Sequence, residues 1–144
     1  MKKLWVVFLA VAALSSGGIT LAPSTQAGED VKDAHVVAYY FHGSFRCPTC
    51  RKLEQYSREA VEANFKDALA SGKLEFKVIN VEDKENEHFV NDYQLYAKSL
   101  VISLIENGKE VKSKNLTKIW DYAGNKQMFF NYVTSEICDF LKGS

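Results

Sequence analysis

The stretch that decides the fold is His35-Val36-Val37-Ala38-Tyr39-Tyr40-Phe41, followed by Gly43-Ser44 and then by Cys47-Pro48-Thr49-Cys50. β-Branched and aromatic residues fill its first part, which is the composition of a strand. The Gly-Ser pair interrupts this strand. The Cys-Pro-Thr-Cys segment then begins a helix, because apolar residues recur after it at helical spacing, at Leu53, Tyr56, Ala60 and Ala63. The sequence therefore predicts a strand that leads directly into a helix opened by two cysteines.

The middle of the chain predicts a further strand and a further helix. The first helix, which can break near Asn64, ends before Ser71-Gly72, where glycine permits a left-handed turn. A second strand is predicted at residues 74–81, where apolar residues alternate at positions 74, 76 and 78. Asp83 is the predicted N-cap of the next helix, whose apolar stripe consists of Phe89, Tyr93 and Tyr96.

The C-terminal third predicts a hairpin followed by helix. Residues 100–105 form the third strand, Asn107-Gly108 is a strong hairpin signal, and residues 109–114 form an edge strand protected by lysines. The remainder is helical, in a short piece at residues 116–122 and a last helix at residues 125–141. The order β-α-β-α-β-β-α predicts an α/β fold with a mixed four-stranded sheet flanked by helices.

The first 27 residues have the pattern of a cleavable signal peptide. Lys2 and Lys3 form a basic start, an apolar run covers residues 4–14, and Thr25-Gln26-Ala27 supplies small residues before a cut after position 27. An uncleaved anchor is the alternative, but about 20 mostly apolar residues are needed to span a bilayer, and Ser15-Ser16-Gly17-Gly18 shortens the run. We expect a periplasmic or secreted protein, one domain at residues 28–144, and no stable membrane insertion after cleavage.

The charge balance argues against two classes of partner. The chain has 18 basic and 18 acidic residues, and loss of Lys2 and Lys3 with the signal leaves 16 basic and 18 acidic residues, a net charge of −2. Nucleic-acid binding requires an excess of Lys and Arg, and binding to a membrane surface favours a basic amphipathic helix. The sequence shows neither pattern, so neither partner is expected.

Two of the three cysteines form a C-x-x-C motif that can carry chemistry. Cys47 lies at the predicted helix N-terminus, where free amides and the helix dipole stabilise a thiolate, the nucleophilic form of cysteine. Cys50, one turn later on the same face, can close a disulfide with it. We predict that Cys47 is the attacking thiol and Cys50 the resolving thiol. His42 is a candidate general base, and Arg46 is a candidate source of positive potential.

Other interpretations of these residues remain open at the level of sequence. Two thiolates at this spacing are half of a zinc site, which Cys138, His42 or a second subunit could complete. The pair could also be an inert structural disulfide in a binding module. His42 could simply be a strand-end histidine that is satisfied by the backbone, and Cys138 a small buried hydrophobe. We expect no cofactor and no tightly held metal.

The motif and its position resemble the thioredoxin superfamily. Residues 45–52 (Phe-Arg-Cys-Pro-Thr-Cys-Arg-Lys) follow the first strand of a β-α-β-α-β-β-α chain. More narrowly, residues 40–43 and 46–50, with residues 98–101, resemble a bacterial exported thioredoxin-like family described as a nitrophenyl-compound nitroreductase subunit. The resemblance spans most of residues 35–141. It implies a thioredoxin fold, a redox-active dithiol at Cys47 and Cys50, a protein thiol or disulfide partner, and an electron donor or acceptor.

The sequence departs from ordinary thioredoxins at two positions. Thioredoxins carry a cis-proline just before the third strand, and counting back from Asn107-Gly108 places Leu100, preceded by Ser99, in that slot. Pro48 is the only proline after residue 27. The buried acid that assists thiol exchange in thioredoxins would fall near Phe41, where the sequence has no acid. The resemblance therefore implies the thiols but not the usual substrate pairing or proton transfer.

Overall fold

The computed structural model describes residues 33–144. The predicted signal peptide, residues 1–27, and its cleavage site lie outside these residues. Within the described part, strands and helices follow one another as β1 (Ala34–His42), α1 (Pro48–Asn64), α2 (Lys66–Ala70), β2 (Leu74–Asn80), α3 (His88–Asp92), β3 (Ser99–Glu106), β4 (Lys109–Asn115) and α4 (Lys126–Leu141), with a 3-10 turn at Thr117–Ile119.

The strands form one mixed sheet in the order β2-β1-β3-β4. β1 and β2 are parallel, and the two other pairs, β1 with β3 and β3 with β4, are antiparallel. A parallel pair requires a crossover connection, which α1 and α2 supply, whereas antiparallel neighbours can be joined by a short hairpin. This arrangement confirms the predicted α/β fold: a mixed four-stranded sheet flanked by helices, which is a thioredoxin-like fold.

One face of the sheet, covered by α1 and α4, holds the main core. Alternation along β1 turns Val36, Ala38 and Tyr40 to this face. The predicted inward positions of β2, Leu74, Phe76 and Val78, pack here as well. The helices contribute Leu53, Ala60, Val61, Phe129, Val133, Ile137 and Phe140 to the core. Burial of these residues fixes the start of α1 against the end of β1.

An aromatic cluster covers part of the opposite face. The rings of Tyr39 and Phe41 stack with their centroids 5.5 Å apart. Phe89 of α3 and Tyr93, the residue directly after α3, pack on the Phe41 ring at centroid distances of 5.1 and 5.5 Å. These contacts confirm two members of the apolar stripe predicted for this helix. The third is wrong, because α3 ends before Tyr96 and leaves its side chain 94% exposed.

The prediction that Asp83 caps a helix is wrong. The helix begins only at His88, and turns occupy the intervening residues, with the Asn86 amide donating to the Asp83 carbonyl at 2.8 Å. The Asp83 carboxylate instead accepts a hydrogen bond from the side-chain amide of Asn80 at 3.0 Å. The Asp83 carboxylate therefore stabilises the turn after β2 and does not cap a helix. Glu87, which precedes α3, makes no side-chain cap either.

Local signals set the ends of the elements in the C-terminal third. Asn107 and Gly108 connect β3 to β4 with φ values of 51° and 74°, which is the left-handed backbone that such a pair favours. The predicted hairpin and the predicted edge strand are thus confirmed. The side chain of Asn125 accepts from the backbone N–H of Met128 at 3.1 Å and caps α4. No helix in residues 33–144 is long and apolar enough to cross a bilayer.

Candidate functional site

Cys47 is the N-cap residue of α1 and lies between the end of β1 and the first helical turn. Its backbone is extended, and its Sγ accepts a hydrogen bond from the backbone N–H of Cys50 at 3.0 Å. Pro48 occupies the first turn, where its missing N–H costs no helical hydrogen bond. The Cys47 sulfur therefore lies where the free amides and dipole of the helix favour negative charge.

Cys47 and Cys50 form a disulfide, with their Cα atoms 5.0 Å apart. The two residues differ in access to solvent: Cys50 is 4% exposed, whereas Cys47 is half-buried. A partner approaching from solvent therefore meets Cys47 first. The structure brings the two predicted site residues together, and their difference in access agrees with an outer attacking thiol and an inner resolving thiol, although these roles stay a prediction.

Tyr40 contacts the dithiol helix from the sheet, and sequence reasoning missed it. Its hydroxyl donates to the backbone carbonyl of Cys50 at 2.7 Å, and its side chain is fully buried. Burial raises the pKa of Tyr40 to about 12, against an opposing effect of the Arg46 charge. The phenol therefore stays protonated and ties the first turn of α1 to β1. The alternation of β1 was the available signal, since it places Tyr40 on the face of Val36 and Ala38.

Arg46 directly precedes Cys47, and its auxiliary role stays a prediction. It forms an ion pair with Glu54 of α1, and its side chain is 28% exposed. The Nε of Arg46 is buried and has no hydrogen-bond partner among residues 33–144. The same Glu54 carboxylate lies 3.9 Å from Arg58. The Glu54 carboxylate therefore forms ion pairs with both Arg46 and Arg58 beside the start of α1.

His42 lies at the end of β1, and its ring is paired with the backbone. Its Nδ1 lies 2.9 Å from the carbonyl oxygen of Gly43 and donates to it. This contact pairs one ring nitrogen with the backbone, as the sequence allows for a strand-end histidine. The side chain lines a cleft of about 150 Å³ between the ends of β1 and β2 and the segment before β3, which Glu82 and Tyr96 also line.

The link between β1 and Cys47 is held by Glu82, which the sequence did not single out. The backbone N–H of Ser44 donates to the Glu82 carboxylate at 3.0 Å. Hydrogen bonds from Ser44 lower the pKa of Glu82 below 4.5. A Cβ at Gly43 would collide with the same carboxylate, so only glycine fits here without moving Glu82. This contact fixes the path from the sheet to the first cysteine.

Leu100, which counting back from the hairpin assigns to the slot of the thioredoxin cis-proline, is the second residue of β3 and is fully buried. Every peptide bond within residues 33–144 is trans. Two hydrogen bonds close the turn before β3: the Ser99 hydroxyl donates to the carbonyl of Ala97, and the indole N–H of Trp120 donates to the carbonyl of Lys98, each at 2.9 Å. Both of these carbonyls therefore already have a donor within the chain.

Cys138 is a free cysteine, half-buried on α4 and packed against the core. This position agrees with the small hydrophobe that the sequence suggests. In the described part of the chain, no group of three or more His, Cys, Asp or Glu side chains could hold a metal ion. The dithiol has no third ligand of these types beside it among those residues.

No protein-family model matches the chain, and no curated protein sequence is similar to it. Similar solved structures include oxidized thioredoxin O2 from Arabidopsis thaliana, with a TM-score of 0.39 and 8% identity over 67% of this chain and 76% of that one. Fasciola hepatica thioredoxin has a TM-score of 0.36 and 24% identity over 64% and 81% of the two chains. A malarial protein has a TM-score of 0.37 and 12% identity over 62% and 97%. Because these TM-scores are low, the fold is assigned from the strand order and connections of the sheet.

Proposed function

We propose that the protein is a thiol–disulfide oxidoreductase that works through Cys47 and Cys50. The main support is the position of the Cys47 sulfur, which accepts from the Cys50 N–H at the N-cap of α1, beside a second sulfur in a residue that is 4% exposed. A thiol at a helix N-terminus has a lowered pKa, and its thiolate is the nucleophile in disulfide exchange.

The reaction proceeds in two steps of thiol–disulfide exchange. In the reducing direction, the Cys47 thiolate attacks one sulfur of a partner disulfide, forms a mixed disulfide and releases the first partner thiolate. Cys50 loses its proton to solvent and attacks the Cys47 sulfur, which releases the second partner thiolate and closes the Cys47–Cys50 disulfide. Two electrons pass to the partner, and a thiol donor regenerates the dithiol. In the oxidising direction the same steps run in reverse, and a disulfide acceptor regenerates the oxidised pair.

The neighbouring residues position the dithiol and set its charge. Tyr40 holds the carbonyl of Cys50, and Glu82 holds the amide of Ser44, so the first turn of α1 has a fixed place at the end of β1. We assign to Arg46, which directly precedes Cys47 and pairs with Glu54, a supporting effect on the Cys47 thiolate. The Nδ1–H of His42 donates to the Gly43 carbonyl and leaves Nε2 as the ring nitrogen that can accept a proton, so His42 stays a candidate general base.

Turnover of a model peptide disulfide, with dithiothreitol as the reductant, tests this function. We expect the wild-type protein to accelerate the reaction, and Cys47→Ser and Cys50→Ser to abolish turnover. Cys138→Ser is the control and should match the wild type. Full turnover by Cys47→Ser would contradict the proposal. One zinc per chain in anaerobically reduced protein, lost in Cys50→Ser, would favour a metal site instead.

We also propose that the mature protein acts in the periplasm or outside the cell. The support is the signal-like pattern of residues 1–27. The intact mass of the exported protein decides this point, and we expect a chain that begins at Gly28. A species in the membrane fraction that retains residues 1–27 would contradict the proposal.

We further propose membership of the bacterial exported thioredoxin-like family described as a nitrophenyl-compound nitroreductase subunit. The support is the resemblance at residues 40–43, 46–50 and 98–101. Attack of a thiolate on a disulfide does not itself reduce a nitro group, so we expect reduced protein mixed with a nitrophenyl compound to leave its absorbance unchanged. A loss of absorbance that requires Cys47 would assign nitro reduction to the dithiol.

A further inference from the structure

A cleft beside the dithiol is lined mainly by arginine side chains. It measures about 460 Å³, is open to solvent, and is formed by Arg46, Arg51, Glu54, Gln55 and Arg58. Because one residue comes from the segment before α1 and the others from the first turns of the helix, the cleft follows the start of α1. The sequence alone indicates only that two of these arginines flank the cysteines.

The positive charge in this cleft exceeds what its carboxylate can neutralise. Glu54 is the acidic residue of the lining, and it is shared by Arg46 and, at 3.9 Å, by Arg58. The side chain of Arg51 is exposed and has no hydrogen-bond or ion-pair partner in residues 33–144. Arg58 also lies 3.9 Å from the carboxylate of Glu62, so the three guanidinium groups and their two carboxylate partners carry a net charge of +1, which belongs to Arg51. The Arg51 guanidinium is thus free to bind an anion.

Two arginines of the cleft lie next to Cys47 along the chain and along the helix. Arg46 directly precedes Cys47, and the backbone N–H of Arg51 donates to the carbonyl of Cys47 at 3.0 Å. The cleft therefore begins at the residue before Cys47 and continues along the first turns of α1.

We propose that this cleft binds an acidic segment of the partner protein whose disulfide reacts with Cys47, an inference that rests on the function proposed above. Guanidinium groups bind carboxylates through paired N–H···O bonds, and they do so better than a single ammonium group. An open cleft along a helix suits a chain segment. Nucleic acid is disfavoured, because phosphate binding needs an excess of basic residues and the chain after residue 27 carries a net charge of −2.

The expected selectivity is moderate, because the charges are exposed. One exposed ion pair changes an equilibrium by roughly two- to fivefold, and salt screens such pairs over about 10 Å at 0.1 M. Arg51 is the unpaired charge of the cleft, so a partner with two glutamates beside its disulfide should react roughly two- to fivefold faster at low salt than one with two glutamines. The preference should shrink as salt is added.

The test compares two peptides that carry the same disulfide and differ only by two Glu→Gln changes. The value of kcat/KM is measured for each with the mature protein and dithiothreitol, at about 20 and about 200 mM salt. Arg51→Gln removes the unpaired charge of the cleft. Lys52→Gln removes the same charge one residue further on, from an exposed side chain that does not line the cleft. The ratio of acidic to neutral peptide is the readout, so an effect on thiol reactivity cancels.

We expect the wild type and Lys52→Gln to prefer the acidic peptide by the same factor, and Arg51→Gln to lose most of that preference. Equal rates for both peptides with the wild type would overturn the acidic-partner proposal and leave the oxidoreductase function standing. If Lys52→Gln lost as much of the preference for the acidic peptide as Arg51→Gln, the preference would come from the overall positive charge near the helix start and not from the cleft. Faster reduction of glutathione disulfide than of the acidic peptide would point to a small anion instead. Failure to reduce either peptide would refute the function itself.

Discussion

Replacing Tyr40 by Phe removes one buried hydroxyl and should weaken the attachment of the dithiol helix to the sheet. The hydroxyl donates to the carbonyl of Cys50 at 2.7 Å from a fully buried position. A buried hydrogen bond contributes about 0.5–1.5 kcal/mol, and a buried acceptor left without its donor costs about 1–3 kcal/mol. Because this carbonyl lies in the first turn of α1 and also faces the helix N–H groups, we expect a loss near the lower end, about 1–1.5 kcal/mol.

Thermal and denaturant unfolding of the oxidised protein measure this loss. A change of about 1 kcal/mol corresponds to roughly 4 °C in Tm for a domain of 117 residues. Tyr56→Phe is the matched control, because Tyr56 packs on Phe129 and its hydroxyl has no hydrogen-bond partner in residues 33–144. We expect this control to stay within about 0.5 kcal/mol of the wild type.

The same residue predicts a dependence of stability on pH. Burial raises the pKa of Tyr40 from 10.0 to about 12, so the folded state keeps this proton after the unfolded state loses it. The stabilisation is present in full below pH 10 and is lost as the pH rises through about 12. The difference in stability between wild type and Tyr40→Phe should therefore shrink over this interval. Equal stability of Tyr40→Phe, Tyr56→Phe and wild type at neutral pH would refute this reasoning.

Three further predictions concern the approach to the first cysteine. Gly43→Ala should push the Glu82 carboxylate away from the Ser44 amide, and hydrogen exchange should show faster exchange at that amide; unchanged exchange would contradict the contact. Hydrogen bonds from Ser44 lower the pKa of Glu82, so the stability that this carboxylate contributes is present above pH 4.5 and is lost as the pH falls through the lowered pKa. Acid titration should therefore speed hydrogen exchange at the Ser44 amide in the wild type but not in Glu82→Gln. Iodoacetamide should modify Cys47 of the reduced protein before the other two cysteines near neutral pH, as read by peptide mass mapping, and earlier labelling of Cys138 would contradict this order.

The sequence predicts best the features that depend on nearby residues. The run at residues 35–41 forms β1 because alternating side chains meet a core on one face, and Asn107-Gly108 closes its hairpin because both residues adopt positive φ. The position of Cys47 at the helix start follows from Pro48 and the spacing of the apolar residues behind it. These signals require no knowledge of what lies elsewhere in the chain.

The contacts that position the site are less visible because they join distant segments. Glu82 reaches Ser44 across 38 residues, and Tyr40 meets Cys50 only after β1 and α1 have packed together. For Asp83 the local signal is misleading. Its carboxylate accepts a hydrogen bond from the Asn80 side chain and caps no helix, and α3 starts only at His88. The local sequence is compatible with several hydrogen-bond partners for one side chain, and tertiary packing determines which of them it contacts.

Trapping of the mixed disulfide tests most directly the claim that Cys47 attacks and Cys50 resolves. Reduced Cys50→Ser is mixed with a peptide disulfide, and non-reducing mass spectrometry with peptide mapping locates the adduct. We expect a stable adduct of one peptide on Cys47, because no thiol remains to displace it, and little adduct in Cys47→Ser. An adduct on Cys138 in the first variant, or efficient trapping through Cys50 in the second, would contradict the account.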